Sequence, residues 1–469
     1  MRVKENLLGT VYNRIRGRRS SLRIAIVGSQ ASGKTVFLTS LIAHLQHHDP
    51  QALNLGKGVE IIKCEMLKSS SHFSSFPYEY NRSTLVHDNA WPAKTSDVSE
   101  IRLQLDLKRG RRNPEQFELE FLDFPGERAA DFLMFSRNYS EWSDMVLGSI
   151  QADRCYSELA REFNSVVESS CDEPELVNAY KKFLGEAITQ RYSRVITPSV
   201  YLVDCAGKRP DGDGSPESWS KERFCGLSVA EQFVPLPEEA RLQNRDLVKK
   251  FEIRYRKYRN KIVAPLVKWL EDADQMLILL DIPQILMGGF SMYNDEQAIA
   301  ERVLEICDRD RGFWHQLVQV GVLGWLLVKP SRIRRVGIVA TKSDMVATNN
   351  DIDNLESLAR QMTYKRLRGI SVDGCDFFTC STVMSTELVG SRIPRLKGRL
   401  VYEENGERVA EKDSVPVEFV PSRVPEHWPK DGEWSGFSFP EVYPEISARR
   451  DTPPHQEGLE RIVKSFLGL

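Results

Sequence analysis

The chain has 469 residues, of which 41% are hydrophobic and 28% charged, and at roughly 100–200 residues per domain it should contain about two to four structural units. Its 64 Lys and Arg residues nearly balance its 66 Asp and Glu residues, which excludes a coat of one charge and makes nucleic acid an unexpected partner. The eight cysteines include no Cys-x-x-Cys pair, which excludes a disulfide scaffold or a zinc ribbon and favours a cytoplasmic location. Neither a signal peptide nor an apolar run of about 20 residues is present, so no membrane span is predicted.

Residues 1–22 form a basic segment, with six basic residues against one acidic residue. Leu8, Val11, Tyr12 and Ile15 recur at helical spacing, so we predict a basic N-terminal helix. The simplest arrangement packs it against its own domain with the charges in solvent. The alternative is an interfacial helix that makes a peripheral contact with an anionic membrane.

A phosphate-binding loop follows directly. The apolar strand 22–27 runs into Gly28-x4-Gly33-Lys34-Thr35, and apolar residues then continue at helical spacing. Strand, glycine loop and helix in this order are typical of a P-loop, in which backbone N–H groups surround a phosphate, the lysine neutralises it and the hydroxyl binds Mg²⁺. The predicted phosphate contacts are Gly28, Ser29, Gln30, Ala31, Ser32, Gly33, Lys34, Thr35 and Val36.

Two strands of alternating apolar residues, 101–107 and 117–122, precede the next motif, Asp123-x-x-Gly126. An aspartate at this point reaches Mg²⁺ through a water, and the Gly126 N–H contacts the γ-phosphate. The first switch of such a domain also needs a threonine that binds Mg²⁺. Thr95 is the best placed hydroxyl, and the alternatives are Thr84 and Ser96.

Glu127 stands where many GTPases have a glutamine that orients the attacking water. A carboxylate can accept the proton of that water, but its charge is unfavourable beside the γ-phosphate. We therefore predict a catalytic set of Lys34, Thr95 and Glu127 with slow intrinsic hydrolysis. Arg128 is predicted to be a solvated residue, with an arginine finger in cis as the alternative.

Residues 129–270 have a mostly helical pattern. Aromatic and basic residues interleave in 246–270, which can serve nucleic acid, but Phe251, Tyr255, Tyr258 and Ile262 would share one helical face. We predict a packed amphipathic helix.

Three histidines follow the P-loop helix. His44 and His48 have the spacing of some zinc ligands, but no further ligand is nearby, so we predict surface positions.

The strand 336–340 ends in Thr341-Lys342-Ser343-Asp344, the pattern that reads guanine. A carboxylate here accepts hydrogen bonds from the guanine N1–H and 2-amino groups, which adenine does not offer in that geometry. Lys342 would cover the base with its stem. The predicted guanine contacts in this motif are Thr341, Lys342 and Asp344.

Cys380-Ser381-Thr382 follows the last predicted strand, 377–379, where a turn of backbone N–H groups is expected to support the base. We therefore add Ser381 and Thr382 to the guanine contacts. Cys380 has no histidine partner nearby and is interpreted as a small structural residue.

With these motifs placed, the chain resembles the YcjX family of bacterial P-loop GTPases. The matching segments are 28–35, Trp91-Pro92 leading into 99–103, 123–127, 340–344, 417–425, 437–439 and 453–455. The resemblance implies a Ras-like domain with large insertions, binding of GTP or GDP with Mg²⁺, and a link to bacterial stress responses. It implies no particular effector or activator protein.

Gly28 and Asp344 must meet within one domain of about 100–200 residues, so that domain is interrupted by its neighbours. We predict an α/β fold: a Ras-like P-loop NTPase domain, with a mostly parallel sheet and helices on both faces, a large helical insertion and a small β-rich subdomain. The predicted bounds are 1–22 for the basic helix, 23–135 and 271–389 for the GTPase domain, 136–270 for the helical insertion, 390–455 for the β-rich subdomain, and a helix at 456–469 that returns to the GTPase domain.

Three functions fit these motifs. The first is a molecular switch that hydrolyses GTP to GDP and phosphate with Mg²⁺. The second is a nucleotide-gated scaffold with little turnover, which would use the same residues. The third, an ATP-using ATPase or kinase, is disfavoured by Thr341–Asp344.

Overall fold

The computed structural model describes residues 20–29, 31–69, 73–93, 98–123, 126, 128–169, 172–191, 198, 229–307, 333–368, 372, 374–390, 394–404, 407–409, 415–430, 432–444 and 452–469. The predictions made for residues 1–19, Gln30, Thr95, Ser96 and Glu127 lie outside the described residues.

The central sheet has eight strands in the described part of the chain. They are β1 (Ser20–Gly28), β2 (Val59–Leu67), β3 (Ser74–Ser75), β4 (Ser99–Arg109), β5 (Glu115–Asp123), β6 (Gln275–Leu280), β7 (Arg335–Thr341) and β8 (Gly374–Cys380). Their order is β2-β4-β5-β1-β6-β7-β8, with β3 paired to β4. The run β5-β1-β6-β7-β8 is parallel, whereas β4 is antiparallel to both β5 and β2. The predicted mostly parallel sheet of a Ras-like α/β fold is confirmed.

Strand β1 lies in the middle because its apolar residues are continuous. Residues 24–27 are fully buried, with Ile24 and Ile26 on one face and Ala25 and Val27 on the other. A parallel strand covered on both faces requires such a run.

The carboxyl ends of the parallel strands meet at one edge of the sheet, where open α/β sheets bind ligands. The register aligns Gly28 with Leu279, Leu280 with Ala340, and Thr341 with Cys380. The P-loop and the two predicted guanine motifs are therefore brought to this edge.

Thirteen helices are described. They are α1 (Lys34–His47), α2 (Tyr78–His87), α3 (Arg128–Asp131), α4 (Tyr139–Ala152), α5 (Arg154–Leu159), α6 (Arg161–Ser169), α7 (Glu173–Arg191), α8 (Glu238–Gln243), α9 (Arg245–Tyr258), α10 (Ala264–Glu271), α11 (Ile282–Cys307), α12 (Asn349–Leu367) and α13 (Leu459–Leu467). None of these described helices is long and apolar enough to cross a membrane.

Both faces of the sheet are covered by helices. Helices α1 and α13 pack on one face, where Phe466 meets Phe121 edge to face with ring centroids 6.4 Å apart. Helices α11 and α12 and the helices of the 139–270 region share the hydrophobic core of the other face.

A second, antiparallel sheet follows the central one in the chain. Its strands are β9 (Glu387–Val389), β10 (Arg395–Leu400), β13 (Val417–Phe419) and β14 (Val442–Tyr443), and β11 (Tyr402–Glu404) pairs with β12 (Glu407–Val409) as a separate hairpin. Strand β10 pairs with β9, β13 and β14. Tyr293 of α11 packs against Trp428 and Trp434, which attaches this region to the core.

The predicted buried face of the helix over 246–270 is confirmed for three of its four residues. Phe251, Tyr255 and Tyr258 are buried, but Ile262 is 36% exposed. The reason is a π-helical turn over Arg259–Val263, whose extra residue rotates the following side chains out of register.

The prediction that His44 is a surface residue is wrong. His44 is 2% exposed, and its Nε2 lies 3.0 Å from the Pro454 carbonyl, because the chain that precedes α13 covers this side of α1. His48 stays partly exposed. Among the described residues, no group of three or more His, Cys, Asp and Glu side chains could hold a metal ion.

His44 should make stability depend on pH. Burial lowers its pKa from 6.5 to about 4, against the opposing hydrogen bond to Pro454. Below pH 6.5 the unfolded chain therefore binds a proton that the folded chain refuses, and the free energy of unfolding falls as pH falls, by up to about 3 kcal/mol near pH 4.

His44→Gln keeps a donor for Pro454 and should remove this part of the dependence. Urea unfolding at about pH 4.5 and about pH 7.5 measures it. His87→Gln, at the exposed end of α2, should retain the dependence of the wild type. An equal acid loss in the wild type and in His44→Gln would contradict the assignment.

Candidate nucleotide-binding site

The P-loop connects β1 to α1, and two of its glycines are required by its geometry. A Cβ on Gly28 would lie 2.4 Å from Ser32 Oγ and 2.8 Å from the Leu279 carbonyl. Gly33 has φ 88°, the left-handed region that favours glycine. Ser32 Oγ donates to the Ser29 carbonyl at 2.9 Å, which closes the turn that starts α1.

Lys34 and Thr35, the first two residues of α1, direct their side chains toward this loop and toward β5. The Lys34 ammonium donates to the carbonyls of Gly28 at 2.7 Å and Ser29 at 2.9 Å. Thr35 Oγ1 donates to Asp123 Oδ2 at 3.2 Å. Asp123 is 1% exposed at the end of β5.

The oxygen pair of Thr35 and Asp123 fits the expected magnesium ion. A hydroxyl and a carboxylate are the hard oxygen donors that Mg²⁺ takes. Their oxygens lie 3.2 Å apart, so both could serve one ion, Thr35 as a direct ligand and Asp123 through a water.

Asp344, in a 3₁₀ turn after β7, is 6% exposed and firmly oriented. Its Oδ1 accepts from Ser381 Oγ at 2.6 Å, and its Oδ2 accepts from Ser385 N at 2.8 Å and Ser385 Oγ at 2.5 Å. A carboxylate oxygen can accept two hydrogen bonds, so Oδ1 can take one from a base while Ser381 holds it.

The loop after β8 holds the Asp344 carboxylate mainly through side chains. The Ser381 N–H donates to the Glu457 carbonyl at 2.9 Å, so the Ser381 hydroxyl, not its N–H, serves the site. The Thr382 carbonyl accepts from Ser40 Oγ of α1 at 2.6 Å, which ties this loop to the P-loop helix. Cys380 is 1% exposed, and burial raises the pKa of its thiol, which argues against a nucleophile and fits a structural role.

These motifs line one cavity of about 320 Å³. Its lining comprises Ala31, Gly33, Lys34, Thr35, Val36, Phe37, Trp91, Pro92, Ala93, Gly126, Asp281, Pro283, Gln284, Met287, Thr341, Lys342, Asp344, Met345, Cys380, Ser381, Thr382, Val383, Ser385, Phe439, Glu441 and Val442. Every predicted phosphate or guanine residue that the structure describes lines this space, except Gly28, Ser29 and Ser32. Asp123, a predicted Mg²⁺ ligand, also lies outside the lining.

A comparison with known protein families decides the relationship. Residues 22–468 match the model of the YcjX-like family, DUF463, which is nearly the whole chain. The chain belongs to this family. The resemblance predicted from the motifs is confirmed.

Two relatives bear the name "Ras-like GTPase YcjX". The protein of Escherichia coli (strain K12) is 24% identical over 493 aligned positions, which cover 97% of each chain. The protein of Shewanella oneidensis (strain ATCC 700550 / JCM 31522 / CIP 106686 / LMG 19005 / NCIMB 14063 / MR-1) is 22% identical over 462 positions, which cover 89% of this chain and 87% of the relative.

Sequence reasoning missed several cavity residues of this YcjX-like chain. Asp281 had a signal, since it is an acid directly after a buried strand, as Asp123 is. Ser385, Glu441 and Val442 had none, because only the folded chain brings them to the motifs, whereas Phe439 lies in the family-matching segment 437–439. Trp91 was recognised as a family residue, and its indole N–H donates to the Val442 carbonyl at 2.8 Å.

The residues after Gly126 lead to the helical region. Arg128 donates to the Tyr258 hydroxyl at 3.1 Å, and that hydroxyl donates to Asp131 at 2.6 Å. Arg128 is not part of the cavity lining, so this arrangement gives no support for an arginine finger; nor is Arg128 simply solvated.

Thr84, one alternative for the switch threonine, lies in α2. Its hydroxyl donates to the Tyr80 carbonyl at 3.0 Å, and it is not part of the cavity lining. This placement disfavours Thr84. The choice between Thr95 and Ser96 stays a prediction.

Ser381→Ala should weaken GDP binding about five- to tenfold, because it removes a charge-assisted hydrogen bond that orients Asp344. Calorimetric titration with GDP measures the effect. Ser83→Ala, on the exposed face of α2, is the matched control and should bind as the wild type does. Equal affinities for all three proteins would show that the bond from Ser381 to Asp344 does not contribute to nucleotide binding.

Proposed function

We propose that this chain binds GTP and GDP with Mg²⁺, hydrolyses GTP to GDP and phosphate, and acts as a nucleotide-dependent switch. The observation that carries the proposal is the single cavity that joins Lys34 and Thr35 of the P-loop to the buried carboxylate of Asp344. The names of the two relatives support a GTPase activity.

The phosphate end of the cavity would hold the triphosphate. Lys34 would leave the carbonyls of Gly28 and Ser29 for the β- and γ-phosphates, and the N–H groups at the start of α1 would face the same anion. Thr35 directly and Asp123 through a water would hold Mg²⁺, which would neutralise charge on the phosphates.

The base end would hold guanine. Asp344 Oδ1 keeps a lone pair for a base N–H, and a second bond to Oδ2 would displace the Ser385 hydroxyl, which can rotate away. Thr382, whose carbonyl is anchored by Ser40, would offer its N–H to the base. Thr341 ends β7 and would position this motif.

Hydrolysis is expected to be slow without an activator. Glu127 would accept a proton from the attacking water only once the site is closed to solvent, since its charge otherwise opposes that of the γ-phosphate. The roles of Glu127, Thr95 and Gln30 stay predictions from the sequence.

The two regions that adjoin the phosphates are each bonded to a different part of the molecule. Trp91, which precedes the predicted switch threonine, is bonded to β14 of the second sheet. Arg128 and Asp131, which follow Gly126, are bonded to Tyr258 of α9. These bonds favour a switch that would pass a change in nucleotide state to its neighbours, and they would equally serve a nucleotide-gated scaffold.

The predicted domain bounds belong to this proposal. A GTPase domain of 23–135 and 271–389 would carry the site, and α13 would be part of its core. The regions 136–270 and 390–455 would respond to a change in nucleotide state. A role in bacterial stress responses, an effector or activator protein, and a membrane contact of residues 1–22 stay predictions.

Nucleotide competition tests the proposal. The wild type is loaded with labelled GDP and Mg²⁺, and unlabelled GTP or ATP is added to displace the label. Phosphate release from GTP over multiple turnovers is then measured. We expect GTP to displace GDP at least 100-fold more effectively than ATP, because a buried carboxylate rejects a base without the matching donors. Equal displacement by ATP would refute guanine recognition. Tight GTP binding without phosphate release, even with cell extract added, would favour the scaffold.

A further inference from the structure

Asp281 is a buried acid in the cavity lining that no motif accounts for. It follows β6 directly and is 2% exposed, and the neighbouring parallel strand β7 ends in the base-reading motif. Its carboxylate Oδ2 lies 2.6 Å from the ammonium of Lys342. The acid that follows β6 thus binds the lysine that follows β7.

The carboxylate is itself held rigidly. Its Oδ1 accepts from the Gln284 N–H at 3.1 Å, and the Asp281 carbonyl accepts from the Ile285 N–H at 3.0 Å. Asp281 therefore caps the first turn of α11 with one oxygen and binds Lys342 with the other. An anchor built into a strand end and a helix start moves little.

Lys342 is restrained at both ends. Its backbone has φ 59°, the left-handed region that non-glycine residues seldom adopt, and its ammonium is bound to Asp281. Lys342 lines the cavity, and its side chain remains 40% exposed. A lysine with free ends would lose much rotational freedom on covering a base, whereas this one is already ordered.

We infer that Asp281 is a positioning residue for base recognition: through its ion pair it pre-orders Lys342 over the plane of the bound guanine. The inference rests on the proposed function of the cavity. It predicts that Asp281 contributes to affinity for the nucleoside part of the ligand and not for its phosphates.

The test is a double-mutant cycle of Asp281→Asn and Lys342→Met, with GDP and inorganic triphosphate as ligands in calorimetry. Asparagine is as good a helix cap as aspartate, so Asp281→Asn removes the charge and keeps the α11 cap. We expect Asp281→Asn to weaken GDP binding about tenfold and triphosphate binding less than twofold. In the Lys342→Met background the same change should have little effect, because the ion pair is already absent.

Asp274→Asn is the matched control. Asp274 stands at the opposite end of β6, where it accepts from the Arg23 N–H at 3.0 Å, away from the cavity. We expect it to bind GDP as the wild type does. Thermal unfolding without nucleotide shows whether each variant is folded, and rescue of GDP binding by Asp281→Glu in place of Asp281→Asn would further support the ion pair.

Two results would overturn the inference. One is unchanged GDP affinity in folded Asp281→Asn while Asp344→Asn loses guanine preference, which would leave the proposed function intact. The other is an equal loss for GDP and triphosphate, or an equal loss in the Lys342→Met background, which would make Asp281 a general structural residue. A wild type with no preference for guanine would instead refute the proposed function, and this inference with it.

Discussion

Asp344→Asn should lower the affinity for GDP on the order of 100-fold and raise that for xanthosine diphosphate. The N–H of Ser385 lies 2.8 Å from Asp344 Oδ2 and requires an acceptor, so the new amide would turn its oxygen toward Ser385. Its NH₂ group would then occupy the Oδ1 position beside Ser381. There it would oppose the N–H donors of guanine and donate to the 2-oxo group of xanthine.

Competition with GDP and xanthosine diphosphate on the same protein preparation measures this exchange. Asp353→Asn, on the exposed side of α12, is the matched control and should keep the preference of the wild type. Retention of GDP affinity in folded Asp344→Asn would mean that the base is read elsewhere.

Lys34→Met should weaken GTP binding on the order of 100-fold and slow single-turnover hydrolysis by a further 10²–10³-fold. The methionine keeps the length of the stem and removes the charge, which lies 2.7 Å from the Gly28 carbonyl and thus at the centre of the loop. Among the described residues that line the cavity, the other cationic side chain is that of Lys342, and it is bound to Asp281. It therefore does not replace the charge of Lys34.

Rapid mixing of stoichiometric Mg²⁺ and GTP with each protein, followed by phosphate release, measures the rate. Lys57→Met, at an exposed position before β2, should behave as the wild type does. A rate within threefold of the wild type for folded Lys34→Met would remove Lys34 from the mechanism.

Local motifs explain why so much of the phosphate end could be predicted. In Gly28–Thr35 every required group lies within one strand, one turn and the first turn of a helix, so the chemistry of the residues implies their geometry. The same holds for Asp344, which lies three residues after the end of the buried strand β7.

Burial of a polar side chain was harder to predict, because it depends on which distant segment covers it. The spacing of apolar residues in α1 does not show whether His44 is exposed or covered by another segment. It is buried because the residues around Pro454 pack against it. The predicted burial of Ile262 is wrong for a related reason. The π-helical turn that exposes it cannot be recognised from the spacing of the apolar residues.

Residue types at short spacing predict the phosphate loop, the base-reading motif and the α/β fold, and the structure confirms the fold. The long separation of Gly28 and Asp344 along the 469 residues predicts that one domain is interrupted, which stays a prediction. Three further features appear only in the folded chain: Asp281 holds Lys342, Ser385 holds Asp344, and Phe439, Glu441 and Val442 line the cavity. These contacts join strand ends and loops from separate parts of the chain, so they exist only once the parallel strands have aligned their carboxyl ends at one edge.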